Sequence, residues 1–286
     1  MARGDLTDEE WDVIAGLLPL ERGRKFRSEH DNRRFLNGML YVLRVACPWR
    51  DMHERYGLWN SIYVRFRRWA EQGVWDAILA TLVELGLTDD WQHMIDSTTV
   101  RGHVSVVGGK KGGARPQACG RSRGGFTCKV HARCDNQGRP LGFILTSGEA
   151  SDYDAVDALM AIPVIKPKAL LADKGHDGDA VHENLLMQGI LPIIPPKINR
   201  REPIPRYFRR YRDRNRIGRI FGHPKQFRHV ATRYDKTALS FASFLNLAAI
   251  RKWLSTLSTR PRSTITERSL EIYLLQALIS RPHVSQ

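Results

Sequence analysis

The sequence predicts a mixed α+β protein, with an all-helical region over residues 1–90 followed by a core of strands and helices over 91–252. Three observations carry this. Apolar residues recur at helical spacing from residue 5 to about 90, the pattern turns near Trp91 into short apolar runs bounded by turn residues, and those runs then alternate with helical segments. With 286 residues and 42% hydrophobic content, the chain can fill one large core or two modest ones.

The first helix opens in DLTDEEWDVIAGLLPL, where Thr7 is the expected N-cap and Glu10 completes a capping box; Trp11, Ile14, Leu17 and Leu18 share one face. RRFLNGMLYVLRVA (33–46) is the second helix, and NSIYVRFRRWAEQGVWDAILATLVELG (60–86) the third, with a break at Gly73. CPWRDMHERYGLW separates them as in a helix-turn-helix, so Arg65, Arg67 and Arg68 could face phosphate; a bundle whose arginines only solvate its surface fits the same pattern. WQHMIDSTTVRGH reads as a strand with Asp96 at the end of its buried part, where an unpaired charge would cost several kcal/mol unless it binds a cation.

A glycine-rich basic loop follows, VVGGKKGGARPQACGRSRGGF, whose Lys110, Lys111, Arg115, Arg121 and Arg123 suit a phosphate clamp, the plainer alternative being a linker. It has no Walker lysine spacing. Strands at 126–135 and 139–148 form a hairpin about Asn136, Gln137 and Gly138. SDYDAVDALMA is a helix capped at Ser151 or Asp152, and ALLA (169–172) is a strand ending in Asp173. A Gly175 turn leads to a helix from about Asp179, and ILPIIPP is the last short strand.

The formal charge of +15, with a pI near 10.0, points to a polyphosphate partner, because a basic surface otherwise repels itself. Fourteen Lys and Arg against three acids between Lys197 and Lys236 concentrate +11 there. Interleaved Tyr207, Phe208, Ile217, Ile220, Phe221 and Phe227 distinguish this stretch from a disordered tail, and Tyr211–Lys236 is patterned like a helix leading into LSFASFLNLAAIRKWL. Cys47, Cys119, Cys128 and Cys134 form no C-x-x-C pair, so reduced thiols are expected rather than a disulfide frame or a zinc site. No apolar run approaches the roughly 20 residues that span a bilayer, and the first residues lack a secretory pattern, so a cytoplasmic protein is expected. Residues 253–286 read as a Ser/Thr/Arg linker and a short helix about 267–279, or a poorly ordered tail.

Asp96 and Asp173, each expected at a strand end, are the kind of pair that holds Mg²⁺, since hard cations want oxygen ligands. On these residues the chain resembles the DDE transposases of bacterial insertion-sequence families four and five. MIDSTTVRGH resembles their first-aspartate segment, GRSRGGFTCKVHARCDNQGRPLGFILTSGEASDYDA their central strands, and LLADKGHDGDA their second-aspartate segment. Their C-terminal motif is Tyr, two residues, Arg, three residues, Glu, six residues, Lys; Tyr211, Arg214 and Lys225 stand at that spacing, and FRHVATRYDK is also similar. The resemblance implies a ribonuclease-H-like core, a Mg²⁺ or Mn²⁺ cofactor held by Asp96 and Asp173, and excision and strand transfer of DNA ends. It also implies duplex DNA bound by a homodimer, with Tyr211, Arg214, Lys225, Arg121, Arg123, Arg228 and Arg233 on the DNA.

The departure is Gly218, which stands where the family has its glutamate. At 100° per residue, positions 211, 214, 218 and 225 fall within about 60° on one helical stripe, whereas Asp213 lies about 140° away from 218. Gly218 weakens such a helix by roughly 1 kcal/mol and an interior Pro224 by about 3. Asp177, Asp179 and Glu202 are poorly placed substitutes. A DNA-binding protein impaired in cleavage is therefore expected, alongside two alternatives: a catalytically silent repressor of transposition, and a ribonuclease-H-like nuclease.

Overall fold

Thr7 opens the first helix as its spacing predicts: its Oγ1 accepts from Glu10 N at 3.2 Å, and Glu10 Oε2 accepts from Thr7 N at 2.9 Å, a complete capping box. This computed structural model describes residues 3–19, 29–86, 91–106, 118–122, 125–200, 221–222 and 224–259. Helices α1 (Asp8–Ile14), α2 (Glu29–Val45), α3 (Trp59–Glu71) and α4 (Val74–Gly86) come first. Gly73 does break the third predicted helix, with a φ of 69° that only glycine adopts cheaply.

The sheet follows: β1 (Gln92–Gly102), β2 (Gly120–Ser122), β3 (Gly125–Cys134), β4 (Pro140–Ser147), β5 (Ala169–Leu171) and β6 (Leu191–Ile193), with α5 (Val156–Met160) and α6 (Asp179–Met187) between strands. A short helix α7 (Arg228–Ala231), strand β7 (Thr232–Arg233) and the long helix α8 (Ala238–Leu257) complete the described chain. β4, β3 and β1 are antiparallel neighbours, while β1, β5 and β6 run parallel. Three antiparallel strands continued by two parallel ones form the ribonuclease-H-like arrangement. The β3–β4 hairpin closes as its turn residues predict: Gly138 has a φ of 76°, and Asp135 Oδ1 accepts from Gln137 N and Arg139 N.

The alternation of β1 decides what each sheet face buries. Met94, Val100, Cys128, Val130 and Ala132 pack on one side against α8, and Ile95 and Leu170 pack on the other against Val156, Leu159, Val181 and Leu185. α8 is the shared spine. Its Phe244 stacks on Phe66 of α3 at 4.4 Å, its Asn246 donates to Asp76 of α4 at 2.9 Å, and its Trp253 Nε1 donates to the Pro140 carbonyl of β4 at 2.7 Å. Arg251 pairs with Glu10 of α1. The change of pattern near residue 90 is thus one of secondary structure, and a single apolar cluster runs from Leu6 through Trp75 and Trp253 to Val130.

Two expectations change. β1 does not end near Asp96 but continues to Gly102, because β3 pairs with it as far as Arg101↔Thr127. Nor is Tyr211–Lys236 one helix: among its described residues, buried Pro224 starts a single 3₁₀ turn, α7 has only four residues, and Thr232 and Arg233 pair with β1 as a strand. Proline lacks the N–H that a continuing helix would need. Residues 211–220 and the tail predicted at 267–279 lie outside the described residues. Among the described residues, no helix is long and apolar enough to cross a membrane.

Gly86 lets α4 pack tightly on α8, since a Cβ there would sit 2.4 Å from Trp253 Cζ3. Helix propensity favours alanine by up to about 1 kcal/mol, but overlap with a fully buried indole costs more. Gly86→Ala should therefore destabilise the chain by about 1–3 kcal/mol in urea unfolding; a stabilised variant would mean that the α4–α8 contact is looser than described.

Candidate active site

The parallel pairing of β1 with β5 sets the site. Gln92 faces Ala169, His93 faces Leu170 and Met94 faces Leu171, an offset of 77 that also separates Asp96 from Asp173. β5 stops at Leu171, and β7 joins β1 only at Arg101 and Gly102. Between those two partners this edge of β1 is unpaired among the described residues, and Asp96 lies within that gap.

Asp173 leaves β5 as the cap of a 3₁₀ turn: its Oδ1 accepts from Gly175 N at 2.9 Å and from His176 Nδ1 at 2.7 Å. Asp96 Oδ1 accepts from Ser97 N at 2.8 Å. Burial raises the Asp96 pKa from 3.8 to about 6; the Ser97 N–H and His176 oppose this, and the Asp173 and Asp152 carboxylates reinforce it. Asp96 and Thr98 project from the same face of β1, and Lys225 Nζ donates to Thr98 Oγ1 at 2.6 Å. The motif lysine therefore reaches the strand face that carries the first aspartate.

Sequence reasoning missed Asp152, reading it as a helix cap. The capping bond belongs to Ser151, whose Oγ accepts from Tyr153 N at 3.3 Å. The Asp152 carboxylate instead accepts from Ser97 Oγ and lies 3.1 Å from Lys129 Nζ. Burial works to raise its pKa, but the Ser97 hydrogen bond and the Lys129 ammonium outweigh burial and hold it below the usual value. Gly175 separates it from Asp173: a Cβ there would lie 3.0 Å from Asp152 Oδ2 and 3.0 Å from Asp173 Oδ1. The available signal was Lys129 and His131, polar residues two apart in a central strand.

The other predicted positions divide clearly. Asp177 does not substitute for a missing acid, because its carboxylate already accepts from Lys197 N at 2.8 Å, Arg200 Nη1 at 2.5 Å and His182 Nε2 at 3.1 Å. Asp179 is exposed and pairs with Arg200. Arg233 is a correction: it is fully buried, its Nε donates to the Asp235 carbonyl at 3.0 Å, and it covers the Phe241 ring at 5.3 Å, so it supports packing and presents nothing to DNA in this conformation. Arg228 is exposed. Arg121 lies in β2 opposite Phe126. Lys110, Lys111, Arg115, Arg123, Glu202, Tyr211, Asp213, Arg214 and Gly218 lie outside the described residues. On α3, Arg65 stacks on Phe35 at 4.5 Å, while Arg67 and Arg68 are both exposed and Arg67 pairs with Glu71 at 2.7 Å.

Divalent cations such as Mg²⁺ take oxygen ligands, and Asp96 offers one from β1 and Asp173 one from the turn that follows β5. The raised pKa of Asp96 reports first the burial of its carboxylate and then the neighbouring Asp173 and Asp152 charges, and a cation would offset both. Among the described residues, no three His, Cys, Asp or Glu side chains gather closely enough to cage a metal. The chemistry of the donors fits a cation, with Asp96 and Asp173 as its ligands among the described residues.

In the metal-free chain, Asp96 binds its proton more tightly when folded than when unfolded. Its contribution is therefore complete below pH 3.8 and is lost as pH rises through about 6. Asp96→Asn should stabilise the metal-free chain at pH 8 by about 1–3 kcal/mol, with the advantage vanishing towards pH 4 in thermal unfolding. A variant no more stable than wild type at pH 8 would contradict this.

Two family models match the chain. One, described as "Putative transposase of IS4/5 family", matches residues 6–79, and one described as "Transposase DDE domain" matches residues 89–253. The uncharacterized protein y4sN of Sinorhizobium fredii is 40% identical over 116 residues, which span 40% of this chain and 90% of that protein. The uncharacterized 16.2 kDa protein of insertion element IS402 from Burkholderia cepacia is 32% identical over 126 residues, 41% of this chain and 84% of that protein. Among solved structures, the piggyBac transposase synaptic complex with hairpin DNA aligns with a TM-score of 0.46 at 10% identity, covering 97% of this chain and 78% of that one.

Proposed function

The chain belongs to the DDE-domain transposase family, and on that premise we propose that it binds the DNA ends of an insertion sequence at the Asp96–Asp173 site but is impaired in cutting them. The observation that carries the reading is the shared offset of 77, which brings the two aspartates to neighbouring strands at the gap between β5 and β7. A divalent cation such as Mg²⁺ or Mn²⁺, held by Asp96 and Asp173, would supply charge neutralisation at the phosphate under attack. The chain's own residues do the rest. Ser97 and His176 fix the two carboxylates through the bonds given above, and Lys225, exposed beside Thr98, offers an ammonium to the DNA backbone.

Impairment rests on Gly218. A hydrogen in place of a carboxylate removes a cation ligand, and Asp177 is committed elsewhere. The same substitution supports a second reading, a silent DNA-binding repressor that occupies transposon ends. Both place duplex DNA on the basic surface, and a homodimer on paired ends suits either.

Strand cleavage on matched terminal inverted repeats separates them. Gly218→Glu should raise cleavage over wild type by a factor of about 10² or more, the scale on which a lost charge-stabilising group acts. Wild-type cutting equal to that of the variant would overturn the impairment, and cutting by neither with DNA binding intact would favour the repressor.

A further inference from the structure

Away from the carboxylates, three chemically active side chains meet where β2 joins β3. Gly120 pairs with Thr127, so Cys119, just before β2, and Cys128 of β3 come next to each other, and the two thiols interact. Arg233 reaches the same point from β7: its charge acts on both thiols, and its Nη1 donates to the Ala118 carbonyl at 3.3 Å, holding the residue before Cys119. Ala118 itself has a φ of 46°, a left-handed backbone that non-glycine residues rarely adopt. Cys119 is partly exposed and Cys128 fully buried.

The division of roles follows from this geometry. The hydrogen bond from Cys128 lowers the Cys119 pKa to about 7, with the Arg233 charge assisting against burial. Cys128 is pushed up by the same bond and by burial. Cys47 and Cys134 are both pushed up, chiefly by burial. Cys119 is thus the most readily ionised of the four thiols, with a second sulfur beside it to resolve whatever it captures.

We propose that Cys119 and Cys128 form a reversible dithiol–disulfide site whose oxidant is a small disulfide of the glutathione class. Cys119 thiolate attacks one sulfur of the small disulfide, breaking its S–S bond and releasing one thiolate. The released thiolate takes the proton of Cys128, which attacks the Cys119 sulfur and releases the second thiolate, protonated from solvent. Two protein thiols are oxidised and one small disulfide is reduced to two thiols. The bond fixes β2, only three residues long, onto β3. A small dithiol reverses it.

The full chain, reduced and then incubated with glutathione disulfide at pH 7, should lose two hydrogen atoms in mass, and peptide mapping should show Cys119 joined to Cys128. Cys128→Ser should stop at a stable glutathione adduct on Cys119, and Cys119→Ser should give neither product. Without any substitution, iodoacetamide at pH 7 should label Cys119 about 10-fold faster than Cys47, the balance of more thiolate against lower nucleophilicity. Labelling of Cys119 no faster than Cys47, or a glutathione adduct that persists in the wild-type chain, overturns the proposal.

Discussion

The parallel pairing of β1 with β5 is the contact on which the rest of the site depends. Three residue pairs fix an offset of 77, the same offset that separates Asp96 on β1 from Asp173 in the turn just after β5. A slip of one residue would turn Asp96 to the opposite sheet face and bring the apolar Ile95 in its place. Apolar packing guards the register from both sides, through Met94 against the α8 cluster and Ile95 against α5 and α6. The carboxylates are held in place by hydrophobic burial, and the raised pKa of Asp96 is an electrostatic consequence of that burial.

α8 ties this sheet to the helices that precede it. Phe244, Asn246 and Trp253 contact α3, α4 and β4 respectively, so the helical region and the strand core share one apolar interior. The basic segment beginning at Lys197 is tethered as well. Asp177, four residues after Asp173, binds both Lys197 and Arg200 and so fastens the start of that segment to the turn beside the carboxylates.

What could be read from sequence was what local chemistry decides. The Thr7 capping box, the break at Gly73 and the Asn136–Gly138 turn depend on neighbouring residues and formed as expected. Non-local pairing was not legible. The length of β1 depends on β3, thirty positions away, and the break-up of Tyr211–Lys236 depends partly on β1 recruiting Thr232 and Arg233. Charge misled in the same way: Arg233 counts towards a basic surface in sequence, yet lies under Phe241 in the fold. Asp152 resembled a cap because its carboxylate finds Ser97 and Lys129 only when three strands assemble.

We propose that the Asp96–Asp173 pair is a cation site lacking one ligand. Mn²⁺ titration of the full chain, followed by the loss of the free-ion paramagnetic resonance signal, tests it without reference to DNA. The account predicts weak binding that disappears in Asp96→Asn and Asp173→Asn and tightens in Gly218→Glu. Binding that survives both asparagine variants, or that Gly218→Glu leaves unchanged, would contradict it.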